Sequence, residues 1–513
     1  MRARRPHLLI LALTLAFSLS ACSKTGEATA SPEPTAAQTP TGEAKFVLPR
    51  TASTLHPILG TERTNLALAP LIWEGLFELD ATFTPQNVLC ERYEVSADGL
   101  TWTFYLRSGA TFSDGSAFSA SEAVFSLNLA RTGNSRYSFR LADITSVKGE
   151  GNVLTVTLSS PNGDLPALLD VPIVKGESEE PLGTGPYVLK SSSDGDTLVA
   201  RTDWWQKRAL PTSSIPLKMV AGADELILAF DSGEVSMVTS DLTGTNTLNF
   251  AGGYEVWDSP STIMLYVGFN AQKGACADPL VRQALSRGFD RQTVASVLYS
   301  GRATSAVLPI SPACPYYDQI LGAETKSDYS AAAMTDLLTQ AGYTKSGEII
   351  KKGRTAFTLT LIVNSESSFK TATADHLAEE LSKQGIQVQI SKLGWAEYEA
   401  ALKAKQFDLY IGETMLAPDF DLSDLLGRSG PLNYGGFSDS QAEMLLHTFR
   451  AADVGTRPAA AAALCDYLQV SCPFTPLCFK NTSVLTGWGI ISGLAPTQQN
   501  AFYQMWNWTL NLK

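Results

Sequence analysis

The sequence predicts an α/β protein, and three observations carry that assignment. Strand and helix periods alternate through one stretch: Phe357 to Val363 reads as a buried strand, Asp375 to Gln384 as a helix closed by Gly385, and Ile386 to Ile390 as a strand. Trp395 to Lys405 then reads as a helix and Phe407 to Ile411 as a strand, the order expected of crossover units. Helix starts carry capping chemistry: Ser119-Ala120-Ser121-Glu122 is a capping box, and Asp278-Pro279 sets an N-cap before a first-turn proline. The composition is globular, with 513 residues, 44% hydrophobic and 18% charged.

The remaining elements follow in order. Phe46 to Leu48 is a short apolar strand, and Leu55-His56-Pro57 turns the chain. Ala67 to Leu79 has helical apolar spacing, and Thr101 to Arg107 alternates as a strand. The capping box opens a helix through Ala123 to Ala130, and Val153 to Leu158 is a second alternating strand. Leu280 to Leu285 is helical, and Asp290 caps a further helix that Gly301 ends. Asp98-Gly99 and Asp114-Gly115 are turn dipeptides between strands. Arg282 is expected to pair with an acid of the fold.

Charge and motifs exclude several functions. Lys plus Arg number 39 against 51 Asp plus Glu, a net charge of -12, which is the wrong sign for a nucleic-acid binder. The one membrane-like stretch is N-terminal, so a polytopic transporter is excluded. Neither GxSxG nor HExxH occurs, and only His56, His376 and His447 follow the N-terminal segment, so neither a hydrolase nor a metal site is expected. No cofactor is called for.

Arg2, Arg4 and Arg5 precede an apolar run from Leu8 to Leu19, which has signal-peptide proportions. The run ends in Leu19-Ser20-Ala21-Cys22, which resembles a bacterial lipobox, so residues 1–21 read as a signal peptide and Cys22 as the lipidated residue. Residues 22–44 hold Thr, Ala, Pro, Ser and Glu without a large apolar side chain, and read as a disordered tether. These features imply a body anchored by lipid outside the cytoplasmic membrane. Cys90, Cys276, Cys314, Cys465, Cys472 and Cys478 permit disulfides or buried thiols alike.

Several blocks together resemble the family 5 extracellular solute-binding proteins, the dipeptide- and oligopeptide-binding lipoproteins of ABC importers. They are Thr54-Leu55-His56-Pro57, Trp73-Glu74-Gly75-Leu76-Phe77-Glu78, Glu94 to Phe104, Leu106-Arg107-Ser108-Gly109 and Phe112-Ser113-Asp114-Gly115. Gly183-Thr184-Gly185-Pro186-Tyr187, Trp204-Trp205, Phe269-Asn270 and Val281 to Ser286 continue the match in family order. The resemblance implies a two-lobed periplasmic-binding-protein-like clamshell, type II and cluster C-like, with an additional inserted domain. On that template domain I comprises 45–64, 182–268 and 482–513, domain II comprises 65–181, and domain III comprises 269–481. It also implies a monomer that takes a small solute, most simply a short peptide, between lobes I and III and delivers it to a permease. An oligosaccharide, a metal chelate, an opine-like compound or a sensing role are the alternatives.

In peptide-binding members an aspartate of the second lobe captures the peptide amine. Aligned through Ala417, Pro418 takes that position, Asp421 falls near the family's second acid, and Asp419 lies one residue out of register. Asp419, Asp421 and Glu413 are therefore the candidate ligand carboxylates, with capping of a helix near Leu422 as the competing role for the two aspartates. The loop Thr61-Glu62-Arg63 and Trp395 complete the candidate site, with core or hinge packing the competing role for Trp395.

Overall fold

A computed structural model describes residues 45–245, 247–321 and 329–512. The signal peptide, Cys22 and the tether lie outside the described residues.

Two long antiparallel strands, Tyr254–Phe269 and Phe474–Gly487, form the middle of a seven-stranded sheet. Met237–Ser240 pairs with the far end of Phe474–Gly487, and Leu409–Met415 pairs with Tyr254–Phe269 from Ile263 to Phe269. Thr358–Asn364 and Gln387–Leu393 extend the sheet in parallel. Alternate residues of one strand feed different cores: Met264 and Tyr266 join one apolar cluster, and Leu265, Val267 and Phe269 join the other. Both faces are covered along residues 263–269, which is why that stretch is an unbroken apolar run. The register slips between Pro260 and Met264, where proline has no N–H to give the ladder. Phe474–Gly487 passes through the expected boundary at 481/482 without a break.

A second body carries two four-stranded sheets. One consists of Leu48–Arg50, Ser214–Met219, Gly195–Ala200 and Tyr187–Ser192. The other consists of Cys90–Val95, Thr101–Leu106, Val153–Leu158 and Ile144–Glu150, with the helix Ala120–Ala130 packed on it. Leu48, Leu198 and Ile215 share one continuous core with Trp102, Phe104, Leu154 and Val156, so these two sheets are one body. The molecule is thus a two-lobed α/β protein.

Most elements fall where the sequence places them. Ser119 and Glu122 form the reciprocal capping box, and Asp278 accepts from the Leu280 amide. Ala67 to Leu79 is a correction: it is a one-turn helix Ala69–Ile72, an extended Trp73 and a strand Phe77–Leu79. Gly75 permits the close approach seen there, because a Cβ would sit 2.8 Å from the Phe77 carbonyl and 3.1 Å from that of Val171. The helix expected from Asp375 begins about two turns earlier, as Ser368–Lys383, with Ser367 accepting from the Lys370 amide. Arg282 pairs with no acid in the way expected; its guanidinium donates to the carbonyls of Cys276, Ala277, Ser471 and Cys472. The six described cysteines are buried free thiols. No helix among the described residues is long and apolar enough to cross a membrane.

Candidate functional site

A cleft of about 2530 Å³ opens between the two bodies. Thr61, Glu62 and Arg63 line it on the body of the two four-stranded sheets, where Arg63 begins the short helix Arg63–Leu66. Glu413 and residues 415–418 line it from the end of the strand Leu409–Met415. Pro418 faces this space, and Asp419, Asp421 and Trp395 do not line it. Trp395 instead opens the helix Trp395–Lys403, 54% exposed, donating its backbone N–H to Glu366 Oε1 at 3.0 Å.

Glu413 sits in an ion network on the strand crossing. Its two oxygens lie 3.4 Å from Lys370 Nζ and 3.4 Å from Lys480 Nζ, and Lys480 Nζ is 2.9 Å from Asp241 Oδ2. Lys480 is wholly buried, and its ammonium is held by Asp241, just past Met237–Ser240, and by Glu413 on Leu409–Met415.

The opposite wall is aromatic and cationic. Glu74 is buried beneath it and accepts from Trp205 Nε1 at 2.7 Å, Gln206 Nε2 at 2.7 Å and Trp204 Nε1 at 3.3 Å. Burial pushes its carboxyl up to about 7 in spite of those donors. The Arg107 guanidinium lies 5.5 Å from the Trp205 ring centre, and that of Arg208 lies 3.9 Å from Trp506. Arg136 lies 4.8 Å from Tyr137, and Arg140 lies 4.7 Å from the same ring while paired with Asp170. Arg63, Arg107, Arg136 and Arg208 line the cleft without a carboxylate in ion-pair contact among the described residues. The acids mostly have partners: Asp241 and Glu413 pair with Lys480, Asp170 with Arg140, and Glu78 accepts from Asn500. Sequence reasoning finds Arg63 and Glu413 but misses Arg136, Arg208 and Trp506, which stand in no motif.

Asp419 and Asp421 border a separate cavity of about 250 Å³. Asp419 is 3% exposed, accepts from Asn162 Nδ2 at 2.8 Å and offers its backbone carbonyl to Arg457. Asp421 accepts from the Ser423 amide at 3.0 Å, at the start of Ser423–Leu426, and pairs with Arg450 Nε at 3.2 Å. The N-cap position itself is Leu422, without a side-chain cap, so Asp421 makes a local turn with Ser423 one residue ahead of the helix.

This architecture has known relatives. The family model described as bacterial extracellular solute-binding proteins, family 5 middle, matches residues 84–431. The chain belongs to this family. Family 5 members are extracytoplasmic binding proteins of ABC importers rather than enzymes, and they hand small ligands to permeases. The glutathione-binding protein GsiB of Salmonella typhi is 26% identical over 378 residues, covering 69% of this chain and 70% of its own. Among solved folds, the periplasmic murein tripeptide-binding protein MppA, in an unliganded open form, is similar with a TM-score of 0.76. It is 20% identical, over 92% of this chain and 99% of its own. NikZ from Campylobacter jejuni, in complex with Ni(L-His), has a TM-score of 0.64 at 19% identity, over 92% of this chain and 100% of its own.

Proposed function

We propose that this family 5 protein is a lipid-anchored, monomeric receptor for a short peptide-like solute bearing at least one acid group, delivered to an ABC permease. The observation that carries the acid group is the charge left over in the cleft. Arg63, Arg107 and Arg136 face it without carboxylate partners among the described residues, and Arg208 feels Glu78 at a distance, on a chain of net charge -12. A guanidinium over an aromatic ring keeps its N–H donors free at the edge, where a carboxylate can dock. The glutathione ligand in the name of GsiB is a peptide of that kind. Pro418 in place of the amine-binding aspartate favours a second reading, an acidic metal chelate, because neither ligand then needs its amine held there.

Thr61, Glu62, Arg63 and Glu413 are the contact residues in this reading, Cys22 carries the lipid, and the three domains follow the boundaries given by the resemblance. Mass spectrometry of solute released by denaturing the purified protein tests the assignment. A peptide-like acid supports it, an acidic chelate moves it to the second reading, and a neutral or cationic solute refutes both.

A further inference from the structure

The two bodies touch at a second place besides the long strands. Phe83, at the tip of the turn joining Phe77–Leu79 to Pro85–Asn87, leaves its own body and enters the apolar cluster of the seven-stranded sheet. It is 4% exposed and meets Phe420 edge-on at 5.5 Å between ring centres. Both residues hold left-handed backbone, φ 65° and 55°, a conformation that aromatic residues adopt only where packing enforces it. Beside them the Gly163 amide donates to the Arg450 carbonyl at 2.7 Å, and Asn162 donates to Asp419. Arg450 also pairs with Asp143 and Asp421, and Arg457 Nε stands 3.7 Å from Asp164. At Gly163 the two backbones touch: a Cβ there would lie 2.1 Å from the Ala452 carbonyl oxygen.

The cleft is nonetheless wide, well beyond the ~300–1,000 Å³ that encloses a small ligand, so this contact is made while the lobes stand apart. Breaking it would expose Phe83 and Phe420 and strip the buried Asp419 and Arg457 of partners. Bending the two strands at the slip between Pro260 and Met264 disturbs only a few ladder bonds. We propose that the inserted segment is a second pivot: the lobes rotate about a line through the strand slip and the Gly163–Ala452 contact, which stays closed throughout. A two-point hinge permits one axis of motion, where two strands alone would also allow twisting. The inference concerns lobe movement and stands whichever solute the cleft takes.

Hydrogen exchange on the full-length protein tests it without a ligand. The amides of 162–164 should exchange as slowly as the strand Val153–Leu158, and those of 261–263 roughly tenfold or more faster. Exchange at 162–164 as fast as an open loop, or equal rates at the two places, overturns the pivot. Gly163→Ala supplies the second arm, because Gly163 has ordinary backbone and the added methyl meets only the other body. Protection should fall together at 162–164 and 419–422, with Val153–Leu158 and Leu409–Met415 unchanged. If 419–422 stays protected in the variant, the proposal fails.

Discussion

The side-chain amide of Asn162 donates to the carboxylate of Asp419 at 2.8 Å, joining the loop after Val153–Leu158 to the loop after Leu409–Met415. Asp419 is the carboxylate that family register brings nearest to a ligand amine, yet its partners are protein groups from both bodies. One residue of register separates the two roles. Pro418 faces the wide cleft, and the left-handed Phe420 turns the chain so that Asp419 points into the contact.

Asp419→Asn is therefore expected to act on stability rather than on binding. The carboxylate accepts from Asn162 and from the Asp421 amide, and an amide in its place cannot accept on both sides. A buried donor left unpaired costs about 1–3 kcal/mol. The melting temperature should fall by several degrees, with solute affinity in calorimetry within about twofold of wild type. A large affinity loss at unchanged melting temperature would return Asp419 to the ligand site.

Two buried acids give the fold an unusual pH dependence. Burial raises Asp164 from 3.8 to about 7 against the opposing pull of Arg457, and it raises Glu74 from 4.5 to about 7. A carboxyl with a higher pKa in the fold binds its proton more tightly there than in the unfolded chain. Its contribution is therefore full below the unfolded value and is lost as pH rises toward 7. The melting temperature should be higher at pH 5 than at pH 8, and Asp164→Asn should flatten that difference. A profile that climbs steadily from pH 5 to pH 8 would contradict both assignments.

Much of the scaffold is legible in the sequence because its signals are local. Ser119 with Glu122, Asp278 with Pro279, and Gly385 declare helix ends through chemistry confined to a few residues. The Gly183-Thr184-Gly185 block is also legible, for a tertiary reason. A Cβ on Gly183 would fall 2.0 Å from the Ile72 carbonyl oxygen, so the block keeps its glycines to let two backbones touch. Ala67 to Leu79 misleads for the opposite reason. Its apolar spacing fits a helix, but Gly75 bridges to Pro172 and Phe77–Leu79 pairs with Pro85–Asn87, partners that local spacing does not reveal. The site is less legible. Arg63 and Glu413 sit at strand and helix ends that pattern reasoning can place. Arg136 and Arg208 reach the cleft from loops, and Lys480 looks like any residue of a long strand until Asp241 and Glu413 converge on it.

Removing Lys480 should be costly. It is wholly buried, and Lys480→Met would leave Asp241 and Glu413 facing each other without the cation between them. Breaking a buried pair by deleting one partner costs roughly 3–5 kcal/mol. Adding Asp241→Asn to Lys480→Met should recover part of the loss, because Asp241 has no other cation in ion-pair contact among the described residues, whereas Glu413 keeps Lys370. Chemical denaturation measures both variants. Equal stability of the single and double variants would mean that Asp241 does not feel Lys480.

The cleft arginines make the last prediction. If the solute is an acid held by Arg136, then Arg136→Gln keeps a donor but removes the charge. The exposed guanidinium stacks on Tyr137 and its Nη2 donates to the Tyr137 hydroxyl, so it is not needed for folding and the melting temperature should be unchanged. Affinity for the co-purified solute should drop roughly tenfold, the equivalent of about 1.4 kcal/mol. The salt dependence should weaken in parallel, because a screened charge pair has been removed and an uncharged hydrogen bond kept. Arg140→Gln is the contrast. That guanidinium is committed to Asp170, so its loss should lower the melting temperature, with affinity following only as far as the fold does. Titrations at low and high salt with both variants separate the two behaviours. If Arg136→Gln leaves both the affinity and its salt slope intact, the acid group of the solute lies elsewhere, and Arg63 and Arg208 are the positions to neutralise next.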